Sequence, residues 1–567
     1  MIRSLPAWLG VALLALAGGA ASAQSYTIEQ SGTTLGTFEI VLTHGVAGTV
    51  SDSTLNLGAI ADLSDHLVTD AGGFARSYHL EGTAHGTALS MDVTFDGGEA
   101  AFTIEQGGSK QSMRVPLPGP VMVLDNSMLD GWQIIASRLA DAAGNGPQRF
   151  DVLVPQAART GTVTVTAAGA EAVTIGGESV QTQRFDAEME VAGQTVGVTL
   201  WLDDAGRIVA FAQPSAALRY ALETPASKAA ADRQQAGTVA AQAALERHLE
   251  SQSSCIDAHA VDVRSTGETL AGTLTVPVGV GRAPALLLLP GSGAVDRDGN
   301  AAPVITNAMY KQLAYALGCQ GYAVLRIDKL GIGASSGDGN AVTLDTYVQN
   351  TADWMALLRA RPDIDPRRVG LMGHSEGGLV AIASAVRDDI RPSVVVLLES
   401  PGLPMDRLLA DQIPRLAQLR GASSGEVAAL RAQTEAAVRA IAASTGTAME
   451  LTGDLASNPI AAGFAHAAGL LRSEFAADPA ALAGGIDAPV LIVQGGKDVQ
   501  VLPRNGEALA QAAPDATYLY FPDLEHDLYE TSGAAIDHAV PGPGTRISTT
   551  LLDALHAYLA GYLLAAD

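Results

Sequence analysis

Apolar and polar residues are spaced in two ways along this chain, and the change of spacing divides it. From about Gln24 to Leu222 they alternate with a period of two, in short runs separated by Gly, Asp and Ser. Residues 37–43, 88–95, 162–166, 184–191 and 195–202 are such runs. Alternation of this kind turns one face of a strand to a core and the other to solvent. Asp96-Gly97 and Ala192-Gly193 supply hairpin turns between them. One stretch, about 131–143, has helical spacing instead. Residues 24–222 therefore read as a mainly antiparallel β domain, a curved half-barrel or a sandwich.

Residues 223–253 are rich in Ala, Gln and charge and have no β-branched run, which predicts a helical linker. From 254 to 567 the spacing changes to continuous apolar runs separated by amphipathic segments. The runs at 285–289, 323–327, 369–372, 394–398, 490–493 and 517–521 predict parallel strands joined by right-handed helical crossovers. A helix is expected over 305–317 and a last one over 546–564. Strands this apolar need a sheet covered on both faces. Residues 269–276 are expected to open the sheet as an antiparallel edge, so this half is of the α/β class. Between 401 and 484 the alternation stops, and 405–419 and 426–443 have helical spacing. An insertion there, between two core strands, predicts a helical cap over one edge of the sheet.

Composition adds a compartment and removes some partners. A cationic start at Met1-Ile2-Arg3, an apolar run over 5–17 and a small-residue stretch ending Ala21-Ser22-Ala23 read as a signal peptide over 1–23. The apolar run is shorter than the roughly 20 residues of a membrane-spanning helix, which favours a cleaved signal over an anchor. Export to the periplasm or beyond is the expectation, with no stable membrane insertion afterwards. Sixty acidic residues against 34 basic ones give a net charge of -26. That balance argues against nucleic acid or anionic membrane surfaces as partners, since both need clustered Lys and Arg. Cys255 and Cys319 are the two cysteines, a candidate disulfide in an exported protein. Neither lies in a CxxC pair or among clustered histidines, so no structural zinc site is expected. His44, His66, His79 and His85 are scattered without metal-ligand spacing.

The candidate chemistry lies in the second half. Gly373-His-Ser-Glu-Gly-Gly378 follows one expected strand and precedes an apolar helical run, the strand-turn-helix context that a G-x-S-x-G nucleophile needs. Its glycines let backbone and substrate approach a strained turn. A serine hydroxyl is a weak nucleophile until a base takes its proton, and in this arrangement acid and histidine follow the serine in that order. Asp498 lies just past the expected strand at 490–493, and His526 just past the one ending at Phe521. Ser375 is thus the candidate nucleophile, His526 the general base and acid, and Asp498 the residue that orients it. Glu399 is the rival acid, and His538 and His556 the rival bases. His374 is expected to point away from Ser375. Two oxyanion donors are expected: the backbone N–H of Glu376, and that of Ser292 in the loop after 285–289.

Read together, Pro290-Gly-Ser-Gly293 with Asp296-Arg-Asp-Gly299, the segment 326–335 (RIDKLGIGAS), Gly373–Gly378, Gly496-Lys-Asp498 and His526 resemble bacterial α/β-hydrolase carboxylesterases that carry an extra N-terminal domain. The resemblance spans roughly residues 254–567; the first half lies outside it. It implies hydrolysis of short acyl esters, small molecules, without a metal or organic cofactor. It also implies a structural role for Asp296 and Arg297, as an ion pair bracing the oxyanion loop. A serine peptidase, an acyl-thioesterase or an acyltransferase could use the same triad. The peptidases of this kind with a β-propeller need more chain upstream, and no blade-length repeat is visible. A non-enzymatic binding protein on this fold should have lost a triad residue, and none is missing.

Overall fold

The period-two half folds as one fifteen-stranded sheet. In the computed structural model, residues 20–564 are described except 31–32, 59–60, 85–86, 97, 107–108, 126–127, 140–145, 192, 217, 302–304, 535–540 and 543. Eight strands, from Ala20–Gln30 to Ser109–Pro116, pair antiparallel, each with the next. A second series runs from Gln148–Val154 to Leu218–Leu222, and the two series join where Tyr26–Gln30 pairs with Leu218–Leu222. The helix expected near 131–143 is Asp130–Leu139. Its Trp132, Ile135 and Leu139 share one core with Tyr26, Phe38, Phe211 and Tyr220 of the sheet. Both strand series contribute to that core, and Val173, Ile175, Val209 and Ala210 form a smaller buried cluster beside it. Most of the signal expected over 1–23 lies outside the described residues; Ala20–Ala23 begin the first strand, opposite Val41–His44.

The chain divides into two compact units between Gln234 and Gln235, inside the helix Pro225–Gln252 that occupies the expected linker. The second unit holds an eight-stranded sheet in the order 256–265, 268–277, 323–327, 283–289, 364–374, 395–398, 490–495, 517–521. Six strands are parallel, and a hairpin precedes them. The strand at 268–277, expected at the edge, is second; Ile256–Ser265 covers it. That outer strand buries only its two ends and faces solvent with Asp and His, so its sequence resembles a polar linker.

Central strands are apolar throughout because both faces are covered. All of Ala283–Leu289 is buried. Leu287, Leu325, Leu371 and Ile492 face a core containing Leu358 and Leu379 of the helices Leu344–Ala360 and Glu376–Ala385. Their neighbours Leu286, Val324, Met372 and Leu491 face Leu313 and Leu555 of the helices Met309–Cys319 and Thr549–Leu559. The insertion leaves the sheet after Val395–Leu398, forms the helices Met405–Leu419 and Ser424–Ala443 among others, and returns at Val490–Gly495. The second long helix starts at a capping box made by Ser423 and Glu426.

Cys255 and Cys319 form a disulfide with 5.1 Å between their Cα atoms. It ties the end of Met309–Cys319 to the start of the outer strand and closes a loop of 64 residues. A loop of that length corresponds to about 4 kcal/mol of lost chain entropy in the unfolded state, an upper figure for the stabilisation. The double variant Cys255→Ala, Cys319→Ala should therefore unfold at clearly lower denaturant than the oxidised wild type, and reductant should lower the wild-type midpoint but leave the variant's unmoved. Equal midpoints for variant and oxidised wild type would count against the bridge as a stabilising link.

Candidate active site

Five strands end level with one another. Leu289 pairs beside Gly373, His374 beside Leu398, Leu398 beside Val493, and Gly495 beside Phe521. The segments that follow carry Ser292, Ser375, Glu399, Asp498 and His526 respectively, so register brings every candidate group to the carboxyl edge of one sheet. Ligand sites of open α/β sheets form at this edge.

Ser375 stands between the strand Ile364–His374 and the helix Glu376–Ala385 with φ 54° and ψ -126°. A non-glycine residue pays for a positive φ in strain, which persists only where the surroundings hold it. Here they do. A methyl on Gly373 would lie 2.2 Å from the carbonyl oxygen of Gly377, and one on Gly378 would strike Ser400. A methyl on Gly377 would lie 2.2 Å from the carbonyl oxygen of Leu289, so the turn also touches the start of the oxyanion loop. The glycines of the motif thus permit two close backbone contacts and one with the Ser400 side chain.

Asp498 is buried and accepts three hydrogen bonds. Its Oδ1 takes the backbone N–H groups of Gln500 and Val501, both at 2.7 Å, and its Oδ2 takes Nδ1–H of His526 at 2.8 Å. That bond leaves Nε2 of the neutral imidazole as an acceptor. Glu399, the rival acid, is fully buried and accepts from Gln494 at 2.8 Å. Burial, with the Asp498 charge beside it, pushes its carboxyl well above the usual carboxylate range. Asp498, and not Glu399, is the carboxylate that meets the histidine. Of the rival bases, His556 lies 3.3 Å from the hydroxyl of Tyr322 on the far helix, and His538 is outside the described residues.

The oxyanion loop approaches the nucleophile closely: a methyl on Gly291 would lie 3.3 Å from Cβ of Ser375. The resemblance-based ion pair of Asp296 with Arg297 is not formed. Asp296 accepts the backbone N–H groups of Asp298 and Asn300, both at 2.9 Å, which makes it a turn-forming residue. Arg297 pairs instead with buried Asp328, at 2.5 Å from its side chain and 2.8 Å from its backbone N–H. Arg326 pairs with Asp298. Two cross-links thus brace the loop against the 326–335 segment.

His374 is a buried tie in this site. Its Nε2 lies 2.8 Å from the carbonyl oxygen of His526, an acceptor only, so that nitrogen donates. Nδ1 then accepts from the Tyr310 hydroxyl at 3.0 Å, and the same hydroxyl accepts the N–H of Gly291 at 2.8 Å. Burial, with His526 adjacent, pushes His374 down to about 3, which fits this neutral tautomer. The expectation that it points away gave no hint of these bonds; a buried polar residue beside a nucleophile reveals its partners only in three dimensions. In the first unit His66 and His79 sit opposite one another across two strands, each 2.7 Å from an aspartate on a neighbouring strand, and His44 is 3.0 Å from Thr49. His85 is outside the described residues.

Known hydrolases are similar to part of the chain. Residues 306–531 match the family described as serine aminopeptidase, S33, a span that contains Ser375, Asp498 and His526. The chain is 27% identical over 270 residues to Esterase EstD of Thermotoga maritima, an alignment covering 47% of this chain and 59% of that protein. Among solved structures, Est1E of Butyrivibrio proteoclasticus with ferulic acid bound is 15% identical, with a TM-score of 0.35, over 53% of this chain and 98% of that one. The enol-lactonase of Burkholderia xenovorans LB400 is 21% identical, with a TM-score of 0.32, over 54% and 100%. The second unit has the α/β-hydrolase fold.

Proposed function

We propose that this α/β-hydrolase is an exported serine esterase that cleaves small carboxylic esters through an acyl-enzyme on Ser375. The observation that carries the reading is the 2.8 Å bond between His526 and buried Asp498 at the sheet edge where Ser375 stands on its strained turn. In the first half-reaction Nε2 of His526 takes the Ser375 proton as Oγ attacks the ester carbon. The proton then passes to the departing alkoxide, and the alcohol leaves. In the second, His526 deprotonates a water that attacks the acyl carbon, and Ser375 recovers its proton as the carboxylate leaves. Asp498 holds the tautomer and stabilises the imidazolium. The backbone N–H groups of Glu376 and Ser292 meet the oxyanion in both steps. No step needs a metal or an organic cofactor.

The resemblance to an esterase favours an ester as the scissile group, while the aminopeptidase description of the matching family favours an amide of an amino acid. A panel of 4-nitrophenyl esters of rising acyl length beside aminoacyl 4-nitroanilides separates them. Turnover of short-chain esters with none of the anilides supports the esterase; the reverse supports the peptidase. Export rests on the 1–23 segment and on the disulfide, which suits an oxidising compartment. Among the described residues no helix is long and apolar enough to cross a membrane.

The proposal has a pH signature. Burial alone lowers the pKa of His526, but the charge and hydrogen bond of Asp498, with Asp527 and Glu525 nearby, outweigh it and raise the pKa above the usual 6.5. Only the neutral imidazole can act as the base. Hence kcat/KM for an ester should be low in mild acid and climb through a single ionisation above pH 6.5. A profile already flat at pH 6 would contradict the assignment of the base.

A further inference from the structure

Lys329 belongs to the 326–335 segment, and the proton transfers give it no role. The residue is 8% exposed, and a buried ammonium is retained only where its partners offset desolvation. It donates to the carbonyl oxygen of Gly291 at 2.7 Å and to Oε1 of Glu376 at 3.2 Å, and lies 5.6 Å from the centre of the Tyr347 ring. Glu474, from the cap helix Ala468–Phe475, is also buried near this pair. Burial, with the Glu376 charge adding to it, raises its carboxyl well above the usual range. Glu376 is the carboxylate that Lys329 bonds directly.

Both acceptors are joined to the two expected oxyanion donors. Glu376 supplies one through its own backbone N–H. The Gly291 carbonyl belongs to the peptide whose N–H is that of Ser292. A planar trans peptide sends its C=O and N–H to opposite sides, so whatever grips the carbonyl sets the direction of the N–H. The loop needs such a grip, because Ser292 is flanked by two glycines, one of them at φ 78°. The N–H of Gly291 is already held by Tyr310, so that residue is fixed on both sides.

We propose that Lys329 is a positioning residue that assembles the oxyanion hole, orienting the Gly291–Ser292 peptide by its carbonyl and tying it to Glu376. The inference rests on the serine-esterase reading above. Lys329→Met keeps the length of the side chain and removes the donor. With 4-nitrophenyl butyrate, kcat should fall by about 10- to 100-fold, somewhat less than loss of a whole donor, while KM stays within about threefold. Phenylboronic acid, which forms a tetrahedral adduct on the serine, should bind more weakly by the same factor. Lys329→Arg should recover part of both losses.

A structural role alone would lower the unfolding midpoint without linking kcat to boronate affinity. Full kcat in folded Lys329→Met, or a loss of kcat with unchanged boronate affinity, overturns the inference. Should Lys329→Met not fold, Glu376→Gln weakens the same tie from the other end and must show the same parallel loss. Ser375→Ala tells the two readings apart. If it remains active, the reading of the site fails; if it is dead while Lys329→Met is fully active, only the role of Lys329 fails.

Discussion

Ser375→Ala should lower ester hydrolysis by about 10⁴-fold or more and abolish labelling by a fluorophosphonate. The size follows from what is lost. Without Oγ there is no acyl-enzyme, and the remaining groups can do no more than polarise a bound ester toward water. The fold should survive, because alanine keeps the Cβ of serine and adds no strain at φ 54°. A circular dichroism melt beside the activity measurement checks both halves. An unchanged melt with activity near wild type would remove Ser375 from the mechanism.

Asp498→Asn is expected to cost about 10³- to 10⁴-fold in kcat, for a reason visible in the bonds of the wild-type side chain. The Gln500 and Val501 N–H groups both point at Oδ1, so an asparagine must keep its oxygen there. Its NH₂ then faces Nδ1 of His526 in place of Oδ2. Two donors cannot meet, so the imidazole must give up Nδ1–H and carry its proton on Nε2. That tautomer offers no lone pair to Ser375. Glu399→Gln, by contrast, leaves the bond between Asp498 and His526 in place and should leave kcat within a few-fold. If instead Glu399→Gln were the crippling change and Asp498→Asn the mild one, the acid would have been assigned to the wrong strand.

The proposed triad could be picked out of the sequence because each member sits directly after a strand whose apolar run is unmistakable. Ala323–Ile327 and Thr517–Phe521 have the expected bounds, and Val395–Leu398 differs by one residue at its start. What pattern could not supply was anything set by partners distant in sequence. Ile256–Ser265 is a strand because it pairs with Glu268–Pro277, although its own residues face solvent. Arg297 bonds Asp328, 31 residues on, in preference to the neighbouring Asp296. His374, Tyr310 and Lys329 are ordinary residues in a linear reading; only burial and mutual distance set them apart. The first half gave its strand periodicity readily but not the order of its strands. Alternation describes a face, and says nothing about which edge meets which.

That order has a kinetic consequence. In the fifteen-stranded sheet Ala20–Gln30 lies in the interior, between Thr33–Gly45 and Leu218–Leu222. Hairpins between successive strands are local and close within microseconds, whereas the seam of Tyr26 with Leu222 must await the far end of the unit. Two hairpin arrays should therefore form early and zip together late. Until they do, each exposes a row of unpaired amides along one flank, the kind of edge on which chains aggregate. A nascent chain halted before residue 218 holds its first strand open in the middle of the future sheet, so the hazard peaks just before the last strand arrives.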